Sequence, residues 1–169
     1  MTVSAFTFVD LYSRALATAS HLLNKGVEHA RATGVDEAQM LDWRLIGDMQ
    51  PLSFQLMVVV NFSRSWPARF AGLEVPPEIG MDLDVAGFQA AIKDAQAWLA
   101  MRTPAEFEGR DELALQFEIG TGMKPTLPAE RWLTVFATTN FFFHLSTAYG
   151  ILRAHGVQIG KPDLFAGGL

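Results

Sequence analysis

The chain has 169 residues, half of them hydrophobic and 18% charged, with 13 Phe and 4 Trp. That length fits one domain with one sizeable core, and the composition excludes a disordered chain. A balance of 13 basic against 18 acidic residues leaves a formal charge of −5 with no basic run, which argues against a nucleic-acid binder; the absence of Cys excludes a disulfide scaffold, a thiolate nucleophile and Cys-ligated zinc or iron–sulfur.

The first predicted helix runs from about Ser4 to Ala32. Tyr12, Leu16, Ala19 and Leu23 fall on one stripe, flanked by Leu11, Ala15 and Leu22, with Arg14, His21, Lys25 and Glu28 opposite. Gly34 stops it. Asp36 then caps a short helix through about Leu41. A second long helix is expected from about Asp48 to Ala71, with Pro51 in its first turn, Leu52, Gln55, Val59, Phe62 and Trp66 on one face, and Pro67 bending or ending it. Pro76 and Pro77 mark a loop. Asp82 or Asp84 caps a third helix to about Met101, striped by Phe88, Ile92, Ala95 and Leu99.

Leu113, Leu115, Phe117 and Ile119 alternate with Ala114, Gln116 and Glu118, the period of a half-buried strand. Gly120-Thr121-Gly122 reads as a turn, and Met123 to Thr126 would pair back as an edge, because Pro125 limits that partner. A fourth helix follows from near Pro128 to Gly156, and the segment Val157 to Leu169 reads as irregular. Four long helices around a small hairpin make an all-α bundle.

Trp132 to Leu152 holds no Asp, Glu, Lys or Arg over a length that would span a bilayer. It carries Asn140, His144 and five Ser or Thr, which suit a buried soluble helix or a subunit interface better than lipid. The N-terminal Met1-Thr-Val-Ser-Ala-Phe lacks a basic leader, the first cation being Arg14, so the expectation is a cytoplasmic protein. Asn61-Phe62-Ser63 matches a glycosylation sequon that has no use without secretion.

Chemistry-bearing motifs are few. Gly156 to Pro162 is one residue short of a phosphate-binding loop and has Pro where Ser or Thr would hold magnesium. No Gly-x-Ser-x-Gly elbow and no His-Glu-x-x-His zinc helix occur. Of the four histidines, His21, His29 and His155 read as surface or helix-end residues. His144 lies in mid-helix after three Phe. With Asn140 and Thr147 it forms a polar stripe on an apolar helix. Buried, such groups cost about 1–3 kcal/mol each if unpaired, so they must bond to each other, to water, to a metal or to another helix. Asp48 would open the second helix as an N-cap or point into the bundle, and an Asp and a His from facing helices make half of a metal site.

Asn140-Phe-Phe-Phe-His144-Leu-Ser-Thr147-Ala-Tyr149-Gly-Ile-Leu-Arg153, with Gly156-Val157 and Gly160-Lys161 behind it, resembles an uncharacterised domain family grouped with the DinB/YfiT-like metalloenzymes. So does Asp48-Met-Gln-Pro51-Leu-Ser-Phe-Gln55. The resemblance covers nearly the whole chain as a single domain over 1–169. It implies a four-helix bundle, commonly a homodimer, in which many members hold a divalent metal such as zinc or nickel through three His. One of these lies on the second helix and two on the fourth, as His-x-x-x-His. Some relatives are thiol-dependent transferases or isomerases. Here His144 matches as a histidine, Asn140 stands one turn before it, and Asp48 is the nearest match on the second helix.

Two expectations follow. In one, Asp48, Asn140 and His144 converge on an internal pocket, hold a divalent metal that activates water or a thiol, and Tyr149 donates a proton. In the other, the domain binds no metal, Asp48 is a cap and Asn140 with His144 forms a buried network in a homodimer that binds a small molecule or only stabilises itself. Neither involves nucleic acid or membrane.

Overall fold

The structure is a computed structural model that describes residues 4–168. Helix α1 spans Thr7–Thr33 and buries Tyr12, Leu16, Ala19 and Leu23, the stripe the sequence marks. It ends at Gly34, whose φ of 73° is the left-handed geometry that lets its N–H reach back to the last-turn carbonyls. Helix α2 spans Glu37–Leu41, and Asp36 caps it through a 2.8 Å bond from the Ala38 N–H.

Helix α3 spans Leu52–Ala71 and so begins four residues after Asp48. The reason lies in the turn before it. Leu52 N–H, a first-turn donor with no helical partner, bonds to the Trp43 carbonyl at 2.8 Å. Arg44 clasps the Met49 carbonyl. Pro51, at φ −69° and ψ 172°, is the residue that turns the chain into the helix, and no side chain caps it. Pro67 does not end α3, which continues to Ala71 and stops at Gly72 with φ 67°.

Helix α4 spans Val85–Ala100, and Asp84 rather than Asp82 is its cap, accepting from Gly87 N–H at 2.7 Å. The loop before it is fastened to α3. Asn61, the sequon residue, is buried and uses both amide atoms on the Ile79 backbone at 2.9 and 3.0 Å. Strands β1 (Ala114–Gln116) and β2 (Thr126–Pro128) pair antiparallel, with Leu115 opposite Leu127 and an isolated bridge from Ile119 to Met123. The pairing is shorter, and shifted toward Pro128, relative to the sequence expectation.

The last helical rod starts as α5 (Ala129–Arg131), continues through a π-helical stretch at Trp132–Ala137, and becomes α6 (Thr138–Ala154). The helices α1, α3, α4 and α6 surround a core to which Tyr12, Leu56, Phe88, Phe141 and Ile151 contribute, and α3 touches each of the other three. Close approach is written into Gly26. A Cβ there would lie 2.9 Å from Leu152 Cδ2 and 3.0 Å from Met40 Sδ. No helix among the described residues is long and apolar enough to cross a membrane. The uncharged run instead turns one side into the core. Trp132, Leu133, Phe141, Leu145, Ile151 and Leu152 are all buried.

Candidate functional site

His144 faces α3 from the middle of α6. Its Nδ1 lies 2.7 Å from Oε1 of Gln55, whose side chain is buried in the first turns of α3. Gln55 is itself fixed, because its Nε2 donates to the Gln50 carbonyl at 2.9 Å. The amide orientation is therefore set, with Oε1 turned to the imidazole as an acceptor. It follows that Nδ1 carries the proton and Nε2 holds the lone pair. Phe54 and Phe143 meet the ring edge-on, with centroids at 5.9 and 5.2 Å. Burial pushes the imidazole below its ordinary value of 6.5, so at neutral pH it is uncharged. The outcome is a neutral base with one nitrogen anchored and the other without a hydrogen-bond partner among the described residues.

The remaining sequence candidates are placed differently. Asn140 is half-buried and its Nδ2 donates to the Phe136 carbonyl of its own helix at 2.8 Å. Thr147 does the same, to Phe143 O at 2.7 Å. The polar stripe therefore does not form one network. Asn140 and Thr147 satisfy themselves on the preceding turn, which short polar side chains in a helix can do, and only His144 reaches a second helix. Asp48 is exposed in the turn before α3, because the helix begins at Leu52, and so it neither caps α3 nor lies in an internal pocket. Tyr149 follows His144 by five residues, which is about 140° around an α-helix, so the two side chains leave α6 on different sides. It packs against the core.

Gln55 is the partner the sequence reading did not single out. The signal was present: it is a polar residue on the inward stripe of Leu52, Val59, Phe62 and Trp66. Two further histidines are also more engaged than their sequence positions suggest. His21 Nε2 sits 2.7 Å from Asp163, tying α1 to the segment after α6. His155 stacks on Trp43 at 4.4 Å with the planes 2° apart.

The family model for a domain of unknown function, DUF1993, matches residues 6–165. The chain belongs to the DUF1993 family. Among solved structures, this DUF1993 chain is similar to a DinB family member protein from Shewanella denitrificans. They are 26% identical, with 94% of this chain and 90% of that one covered and a TM-score of 0.84. No curated protein matches it. The fold is thus the DinB-like bundle that the C-terminal motif resembles.

The donor set of this DUF1993 chain does not fit a resident zinc or nickel at the position the resemblance implies. His144 could offer Nε2, since a ligating imidazole commonly has its other nitrogen held as Gln55 holds Nδ1, but it stands alone: Asn140 is a neutral amide bonded to its own helix, and Asp48 stands in an exposed turn. Among the described residues no three His, Asp or Glu side chains gather closely enough to hold a metal ion.

Proposed function

We propose that this DUF1993 chain is a cytoplasmic, homodimeric DinB-fold domain that binds a small molecule at His144 and works without a resident metal. The observation that carries the reading is the Gln55–His144 bond. A buried amide, fixed in turn by the Gln50 carbonyl, presets the imidazole tautomer and aims one lone pair outward. Fixed orientation of a polar group beside aromatic edges is one element of a selective binding site. Its neutral state suits it to accept a hydrogen bond, or to take a proton, from a ligand O–H or N–H.

An exposed strip beside the site would suit a second copy of the chain. Val135, Thr139 and Phe143 follow one another at helical spacing on the exposed side of the last rod, and Leu45 leans over Gly150 two turns beyond Phe143. Ile46 is exposed beside Leu45. Pairing two such strips would cover these apolar groups and enclose His144 between subunits.

Calorimetric titration of tag-free protein with zinc and with nickel tests the metal-free reading. Weak, non-stoichiometric uptake that His144→Ala leaves unchanged is expected. One equivalent bound tightly and lost in His144→Ala would overturn it.

A further inference from the structure

A cleft lies away from His144, between α2, the start of α3 and the approach to α4, with a volume of about 270 Å³. Four carboxylates line it, Glu37, Asp42, Asp82 and Asp84, and no basic residue does. Glu37 is neutralised by Arg31 at 2.8 Å, and Asp84 spends one oxygen on the α4 cap. The Asp42 and Asp82 side chains are exposed, and their carboxylates have no ion pair or hydrogen bond among the described residues. The cleft therefore carries uncompensated negative charge.

Acidic rims are common, and the floor is what distinguishes this one. Ser53 is only 5% exposed, lines the cleft, and its hydroxyl has no hydrogen-bond partner among the described residues. The hydroxyl is not sealed from solvent, so its partner comes from whatever occupies the cleft. Leu41 and Val85 supply apolar wall.

We propose that this cleft is a binding site for a small organic cation of the alkylguanidinium class. The carboxylates do not gather into a set of three that would hold a metal ion, so a compact inorganic cation finds no cage. They are spread around the opening, which suits a planar group with five N–H donors spaced in a fork. One donor would meet Ser53 Oγ, others Asp42 and Asp82, and a short alkyl tail would lie on Leu41 and Val85. The volume is close to the lower end of small-molecule sites, roughly 300 Å³, and suits a short-tailed ligand.

The test is an amide NMR titration of the full chain at low salt with butylguanidinium chloride. Butanol and butyrate serve as neutral and anionic controls, and magnesium as an inorganic one. Saturable shifts centred on Leu41, Ser53 and Leu83 are expected with the guanidinium alone. The surface pair Asp42→Asn with Asp82→Asn should weaken binding by about tenfold or more, and Ser53→Ala by several-fold, with melting temperatures held close to the parent. Shifts that never saturate, an equal response to butanol or magnesium, or affinity unchanged in either variant would overturn the site.

Discussion

Gln55 joins two part-buried hydrogen bonds through one side chain. Replacing it with Leu keeps the volume roughly but strands the Gln50 carbonyl and His144 Nδ1 together. The expected loss is about 1–3 kcal/mol of folding stability, read as a lower urea midpoint with an unchanged slope. A loss near zero would mean that water replaces the amide without penalty. His144 also gives the protein a pH dependence whose sign is fixed by burial. Its folded pKa lies below 6.5, so between that folded value and 6.5 the unfolded chain binds more protons. Stability should therefore fall as pH drops below 6.5 and level off once the folded imidazole also titrates. His144→Gln should remove that slope, and an identical pH profile in the variant would count against the assignment.

At the scale of elements, the π-helical stretch Trp132–Ala137 is where the last helix adjusts its phase. A π-turn inserts one extra residue per turn, and here it brings Trp132 onto Trp66, with stacked rings 5.5 Å apart, while its Nε1 donates to Leu115 O of the hairpin at 2.9 Å. Phe117 and Phe136 close the cluster edge-on, and Arg69 lies 4.9 Å over the Trp66 ring. The exit from the π-turn is held by Thr138. Its hydroxyl donates to Leu133 O at 2.8 Å, so its oxygen must accept from the buried Tyr12 phenol at 2.9 Å. Thr138→Val should cost about 1–3 kcal/mol, and adding Tyr12→Phe should cost little more, because the stranded phenol is then gone. Full additivity of the two changes would refute the coupling. The α-helical stripes and the hairpin were legible because period 3.6 and period 2 leave marks in composition. The π-turn was not, since its cause is a tertiary cluster drawn from α3, the hairpin and the rod. Nor was the start of α3: Asp48 with Pro51 three residues later looks like a cap, but the Leu52–Trp43 bond, which only folding creates, sets the boundary.

For the whole molecule, the proposed assembly rests on the exposed side of the last rod. Phe143 is 56% exposed and Val135 58%, on a helix whose other sides are core. Phe143→Asp should convert a dimer in light scattering into a species near 18.6 kDa while leaving the helical circular dichroism intact. A parent protein already at that mass at micromolar concentration would remove the dimer from the reading. His144 was legible as the odd residue in the bundle, and the DinB-like fold with it. What it bonds to was not, because the pairing of α3 with α6 is written in neither segment alone.

The link between α1 and the segment after α6 sets an order in time. Thr18 bonds Leu164 O and the Gly167 N–H, His21 bonds Asp163, and Gly167 lies so close to the Arg14 carbonyl that no larger residue fits. His21 and Asp163 are 142 positions apart. At ordinary ribosomal speed, His21 waits roughly 7 to 30 s for its partner to be made. Through that interval Thr18 and His21 lack the partners the folded chain gives them, so this flank of the first helix is completed only after the segment that follows α6 has been made.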